Sequence, residues 1–188
     1  MKSEFLNPAV FYAEHLKSSL AHSGVRVELI GDGISSPKLG RAIEIIKEEK
    51  LNGPVCSIVD IDGVLISPIH FQKRIGYERL KRLSEIIRES DHTVLWTSRF
   101  SLKDSPNFPY FGPSIQSRFQ KVFGEKLEII TNKKSIGRKR GEALQKILDE
   151  NPQISKFVYI GSSPWDGEAV RECSDSRLIF LTTCHLFL

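Results

Sequence analysis

The sequence predicts an α/β fold with a mainly parallel sheet that is covered on both faces. From residue 54 onward, short apolar segments of strand length alternate with longer amphipathic segments of helix length. The short segments are almost continuously apolar, which is typical of strands buried on both sides. A regular alternation of strand and helix implies parallel strands that are joined by crossover helices.

Each element has its own signal in the chain. The predicted strands of this region are residues 55–60, 93–97, 127–131, 157–161 and 178–182. The predicted helices are residues 71–89, 114–123, 137–150 and 167–173. Three prolines in residues 101–114 exclude regular structure there and predict a long loop. We expect this loop either to shape a binding site or to pack as an aromatic surface segment.

The first 53 residues have a pattern of their own and are expected to pack on the core or to extend its sheet. Residues 8–22 are amphipathic with a proline in the first turn, which predicts a helix. Residues 25–30 alternate as a half-exposed strand does, and residues 38–50 read as a second helix that ends before Asn52-Gly53-Pro54. The predicted organisation is an extension, residues 1–53, and a core, residues 54–188.

The composition is that of a soluble globular protein, with 40% hydrophobic and 27% charged residues. The formal charge of +4 suits an anionic substrate without requiring a nucleic-acid partner. Three widely spaced cysteines without a CxxC pair indicate reduced thiols, and we expect a cytoplasmic location. No apolar stretch is long enough to span a bilayer, so no membrane role is expected.

Polar side chains gather at the predicted carboxyl ends of the strands, where parallel α/β sheets bind ligands. They are Asp60 and Asp62, then Thr97 and Ser98, then Ser162 and Asp166, together with the cations Lys139 and Arg140 at a helix start. Carboxylates, hydroxyls and a cation are the groups that phosphoryl transfer uses. An Asp-x-Asp-Gly segment alone is more often a turn, but its place after an apolar strand favours a phosphate site.

Four segments resemble the ordered motifs of the haloacid dehalogenase-like (HAD) superfamily of phosphohydrolases. They are "VDIDGVL", "VLWTSR", "KRGEALQKIL" and "FVYIGSSPWD". The resemblance covers residues 54–183 and implies a three-layer, Rossmann-like core. In that core the strand of the first motif lies beside the strand of the fourth.

The resemblance also implies a role for each matching residue. Asp60 would be the nucleophile that forms an aspartyl-phosphate, and Asp62 would be the general acid and base. The phosphate-binding residues would be Thr97 and Ser98, with either Lys139 or Arg140 as the cation. A Mg²⁺ ion would be held by Asp60, Asp62 and Asp166, with Ser162 where the family usually has a carboxylate.

Two inserts between motifs are short, about 30 and about 40 residues, so the resemblance implies no large cap domain. An open site of this kind suits a small or macromolecular phosphomonoester, or closure by a second subunit of a homo-oligomer. The expected activity is that of a Mg²⁺-dependent phosphatase. Because position 162 is a serine, the alternative is a catalytically degenerate relative that binds a phosphate ligand or a protein partner without turnover. A receiver-type signalling domain is a third alternative, disfavoured because residues 127–131 end without an aspartate.

Overall fold

The computed structural model describes residues 8–31, 39–65, 77–97, 124–131 and 140–183. The predicted loop 101–114 and the predicted helix 114–123 lie outside these residues, and so do Ser98 and Lys139. The same holds for the first part of the predicted helix 71–89.

The described elements alternate between helix and strand along the chain. The helices are α1 (Pro8–Ser19), α2 (Leu39–Lys50), α3 (Tyr77–Glu89), α4 (Arg140–Glu150) and α5 (Pro164–Cys173). The strands are β1 (Arg26–Leu29), β2 (Val55–Asp60), β3 (His92–Thr97), β4 (Leu127–Thr131), β5 (Lys156–Gly161) and β6 (Leu178–Thr182). A 3₁₀ turn, Gly124–Lys126, precedes β4. The predicted α/β class is confirmed.

All six described strands are parallel and lie in the order β1-β6-β5-β2-β3-β4. After β2 the chain passes through α3 to β3, which lies on one side of β2. After β5 it passes through α5 to β6, which lies on the opposite side of β5. The connections therefore leave β2 and β5 in opposite directions. A crevice at the carboxyl ends of such a strand pair is where open α/β sheets bind ligands.

The sheet has a helical layer on each face, so the fold has three layers. One core combines α2 and α3 with residues such as Val59, Leu95 and Ile160. The other core combines α1, α4 and α5 with residues such as Ile58, Trp96 and Tyr159. Alternate residues of each strand enter opposite cores because side chains alternate across a strand. Asp60, two residues after Ile58, accordingly faces the layer that contains α4 and α5.

The N-terminal residues join both the sheet and a helical layer. β1 forms the sheet edge by pairing with β6, and α1 packs on α5. At that contact Gly167 lies so close to Tyr12 that a Cβ at residue 167 would be 1.9 Å from the Tyr12 hydroxyl oxygen. Among the described residues, no helix has both the length and the apolar character needed to cross a membrane.

Helix α5 begins three residues before the predicted start at residue 167. Ser163 caps the helix and Pro164 occupies its first turn, which proline tolerates because the missing N–H has no partner there. The side chains of Ser163 and Asp166 exchange hydrogen bonds with each other's backbone N–H groups, forming a capping box. The earlier start places Asp166 in the first turn of the helix.

Candidate active site

Asp60 ends β2, one of the two strands that flank the crevice, and is only 3% exposed. Its Oδ1 lies 3.1 Å from Nη2 of Arg140, the first residue of α4. Its Oδ2 lies 3.5 Å from the hydroxyl oxygen of Ser162, which follows β5. The sequence-based expectation placed these three residues at one site, and the structure brings them together.

One nitrogen of Arg140, Nη2, lies close to three side-chain oxygens. Nη2 contacts Asp60, the hydroxyl oxygen of Tyr159 at 3.3 Å and Oδ1 of Asp166 at 2.5 Å. The guanidinium also lies over the ring of Trp96, 4.6 Å from its centroid, where a cation is attracted to the aromatic face. Nε of Arg140 is buried and has no hydrogen-bond acceptor among the described residues. One donor of this buried cation is therefore unpaired within the described part of the site.

Asp62, two residues after Asp60, is hydrogen-bonded to Thr97 of the neighbouring strand. The Thr97 hydroxyl, at the end of β3, donates to Oδ2 of Asp62 at 2.8 Å. The Ser162 hydroxyl donates to the main-chain oxygen of Asp62 at 2.8 Å. Asp62 thus connects the segment after β2 to β3 through its side chain, and to the residue after β5 through its main-chain oxygen.

Asp166 lies at the site, fully buried, with both carboxylate oxygens engaged. Oδ2 accepts hydrogen bonds from the backbone N–H groups of Ser162 and Ser163 and from the Ser163 hydroxyl, each at 2.9 Å. Oδ1 accepts a hydrogen bond from Tyr159 and forms an ion pair with Nη2 of Arg140. Gly161 makes this position possible, because a Cβ there would lie 2.7 Å from Cβ of Asp166.

Tyr159 is a site residue that the sequence reasoning missed. It occupies β5 two residues before Gly161, and its hydroxyl donates to Oδ1 of Asp166 at 2.5 Å. Its ring lies between Trp96 and Phe180, with centroids 5.6 and 5.3 Å away. The available signal was its phenol in an otherwise apolar strand, on the same face as Asp60 of the neighbouring strand.

The electrostatics of the site favour an additional positive charge. Burial raises the pKa of Asp60 well above its usual range, the carboxylate of Asp166 acts in the same direction, and Arg140 opposes them. Burial works against the charged form of Arg140, but its acidic neighbours, including Asp166 and Asp60, raise its pKa overall. Within the described part of the site, three carboxylates thus face one guanidinium. A proton or a cation at Asp60 would relieve this imbalance.

The oxygens at the crevice fit Mg²⁺ in chemical type. Asp60 Oδ2, the main-chain oxygen of Asp62 and Ser162 Oγ come together, and Mg²⁺ needs only one or two carboxylates when water and substrate supply the rest. The described residues contain no cluster of three His, Cys, Asp or Glu side chains suited to a metal ion. Only one of these three oxygens belongs to a carboxylate, so we expect weak binding of Mg²⁺. The predicted Mg²⁺ dependence stays a prediction.

Six of the predicted site residues belong to the described chain and lie together at the carboxyl ends of β2, β3 and β5. They are Asp60, Asp62, Thr97, Arg140, Ser162 and Asp166. The predicted roles of Ser98 and Lys139 fall outside that part of the chain. No family model, no curated protein and no solved structure matches this chain.

Proposed function

We propose that this protein is a phosphohydrolase that transfers the phosphoryl group of a phosphomonoester to Asp60 and then to water. The observation that carries the proposal is the buried contact between Asp60 and Arg140, 3.1 Å long, in the crevice between β2 and β5. A carboxylate can attack a phosphoryl group only where positive charge offsets the repulsion between two anions. Arg140 supplies that charge, and its Nε, which has no acceptor among the described residues, would donate to a phosphoryl oxygen.

The reaction has two balanced steps. In the first, an oxygen of Asp60 bonds to phosphorus while the bond to the leaving oxygen breaks, and Asp62 gives that oxygen a proton. In the second, Asp62 takes a proton from a water molecule, whose oxygen bonds to phosphorus as the bond to Asp60 breaks. Inorganic phosphate leaves and both carboxyl groups return to their initial states.

Asp60 and the main-chain oxygen of Asp62, with the Ser162 hydroxyl, are the groups that would hold Mg²⁺. The ion would supply charge neutralisation at the phosphoryl oxygens. The Thr97 hydroxyl is 2.8 Å from Asp62, which supports a role in orienting the acid or the phosphoryl group.

The test is hydrolysis of an aryl phosphate, with and without Mg²⁺, by the wild type, Asp60→Asn and Asp62→Asn. We expect Asp60→Asn to lower kcat by roughly three orders of magnitude, because the nucleophile is lost. We expect Asp62→Asn to lower kcat roughly 10²- to 10⁴-fold. Asp149→Asn, which changes an exposed carboxylate of α4, is the matched control and should retain the wild-type rate. Equal rates for the wild type and Asp60→Asn would contradict the proposal.

Binding without turnover is the second candidate, and the engagement of both oxygens of Asp166 favours it. A protein of this kind would bind inorganic phosphate at Arg140 but would release no phosphate from any ester. Calorimetric titration with inorganic phosphate, combined with the hydrolysis assay, separates the two candidates. Phosphate binding that is lost in Arg140→Gln, without measurable hydrolysis, would support the second.

A further inference from the structure

The carboxylate of Asp166 has no oxygen left for a cation. Three donors from Ser162 and Ser163 converge on Oδ2, each at 2.9 Å. On Oδ1 the Tyr159 hydroxyl donates a hydrogen bond and Nη2 of Arg140 forms an ion pair, each at 2.5 Å. An ionised carboxylate offers about four lone-pair sites. A Mg²⁺ ion could bind Asp166 only after some of these hydrogen bonds had broken. The contacts therefore disfavour the role of metal ligand that was predicted for this residue.

The same contacts fix the position of Arg140. The hydroxyl of Tyr159 accepts from Nη2 of Arg140 and donates to Asp166, and an ion pair between Arg140 and Asp166 completes the set of contacts among the three side chains. The ring of Tyr159 cannot swing away, because Trp96 and Phe180 pack on it. Asp166 is held by the backbone at the start of α5. Both anchors of Arg140 are thus rigid and fully buried.

We propose that Tyr159 and Asp166 are positioning residues that hold Arg140 against Asp60 with its Nε–H directed to an oxyanion, and that Asp166 is not a cation ligand. The inference rests on the proposed function in one respect, since the oxyanion is taken to be a phosphoryl group. An arginine suits this role because its planar fork can serve its own anchors and an anion at the same time. A guanidinium without the two anchors would lose its fixed orientation and bind the oxyanion less tightly.

The first test is calorimetric titration with inorganic phosphate, in excess Mg²⁺, of the wild type and Tyr159→Phe. The substitution retains the ring and removes only the hydroxyl, so we expect an about three- to tenfold weaker affinity for phosphate. Tyr12→Phe is the matched control, because the Tyr12 hydroxyl also donates to the start of α5, to the main-chain oxygen of Pro164 at 3.2 Å. Its affinity for phosphate should stay within about twofold of the wild type.

The second test is titration with Mg²⁺ alone of the wild type, Asp60→Asn and Asp166→Asn. We expect Asp60→Asn to weaken Mg²⁺ binding and Asp166→Asn to leave it within about twofold, while Asp166→Asn weakens the binding of phosphate. Thermal melts establish that each variant is folded. If Asp166→Asn does not fold, the phosphate affinity of Tyr159→Phe decides the positioning role, and the Mg²⁺ affinity of Tyr159→Phe, expected to stay within about twofold of the wild type, replaces that of Asp166→Asn.

Three results would each overturn the inference. One is a loss of Mg²⁺ affinity in Asp166→Asn as large as that in Asp60→Asn. The second is an unchanged phosphate affinity in Tyr159→Phe, and the third is a wild type that binds no phosphate. Failure of the proposed function is distinguishable, because it appears as absent hydrolysis and is measured independently of these equilibria. Phosphate binding that depends on Tyr159 but is not accompanied by hydrolysis would support the positioning role and contradict the phosphohydrolase.

Discussion

At the scale of single residues, position 162 bears directly on the proposed Mg²⁺ site. The Ser162 hydroxyl lies between Asp60 Oδ2, at 3.5 Å, and the main-chain oxygen of Asp62, at 2.8 Å. A hydroxyl adds an oxygen there without adding charge. Cation affinity in oxygen sites follows the number of charged ligands, so we expect a serine here to keep the affinity of the proposed Mg²⁺ site low.

We predict that Ser162→Asp raises the affinity for Mg²⁺ roughly tenfold or more, because a carboxylate then joins Asp60 at the crevice. The same change should lower the melting temperature without Mg²⁺, since it places a further negative charge beside Asp60. Calorimetry and thermal melts with and without the ion measure both effects.

Ser163→Asp is the control for that prediction. It adds the same charge one residue away, at the helix cap, where aspartate is as good a capping residue as serine. Equal gains of Mg²⁺ affinity in the two variants would mean that general charge, and not the place of Ser162, determines binding.

At the scale of elements, the turn from α5 to β6 is held by one bidentate ion pair. Arg177 donates from Nη2 to Oδ2 of Asp175 at 2.8 Å and from Nε to Oδ1 at 3.1 Å, and its guanidinium lies over the ring of Phe157. The backbone N–H of Arg177 also donates to Asp175. The turn therefore links the end of α5 to the start of β5 as well as to β6.

We predict that Asp175→Asn lowers the free energy of unfolding at neutral pH by about 1 kcal/mol or less. The hydrogen bond from Arg177 holds the pKa of Asp175 below its usual range. A lowered folded-state pKa contributes stability above the unfolded-state pKa, and that contribution is lost as the pH falls through the folded-state value. The difference between wild type and variant should therefore shrink in acid, as measured by urea unfolding across pH.

The Arg177→Gln background tests the cause of this pH dependence. Without the guanidinium, Asp175→Asn should change the stability by a smaller amount that varies less with pH. A pH dependence that is equally large in both backgrounds would show that Arg177 is not the partner responsible.

At the scale of the whole molecule, the N-terminal residues belong to the same packed structure as the site. β1 forms the edge of the sheet, α2 covers one face and α1 covers the other beside α5. The contact between α1 and α5 depends on Gly167, where a Cβ would meet the Tyr12 hydroxyl at 1.9 Å and Cδ2 of Leu16 at 3.0 Å.

We predict that Gly167→Ala lowers the free energy of unfolding by roughly 1–3 kcal/mol, because the added methyl group overfills the contact between the helices. Urea unfolding measures the change. Gly40→Ala is the control, since a Cβ at Gly40 in α2 has no atom within 4 Å, and alanine there should stabilise by roughly 0.5–1 kcal/mol.

The packing explanation for Gly167 can be checked in a Tyr12→Ala background. Removal of the ring should abolish most of the loss caused by Gly167→Ala. If the loss persists in full, the methyl group acts elsewhere than at the contact between α1 and α5.

The sequence alone determined the class of fold and the position of most site residues. Apolar segments of strand length between amphipathic helices predict a parallel sheet, because such segments must be buried on both faces. Since the carboxyl ends of parallel strands meet at one edge, the chain order also places Asp60, Thr97 and Ser162 at one crevice. Strand bounds such as those of residues 55–60 agree with the structure, because the apolar pattern that predicts a strand is also what buries it.

Only the tertiary structure decided which side chains touch. Nothing local in the chain indicates that Tyr159 contacts Asp166 and Arg140, since the contact depends on strand register and on the distance between α4 and β5. The start of α5 at Pro164 was likewise fixed by hydrogen bonds among Ser163, Asp166 and the backbone, and not by hydrophobic periodicity. Periodicity records burial, whereas the partner of a buried polar group is set by three-dimensional packing.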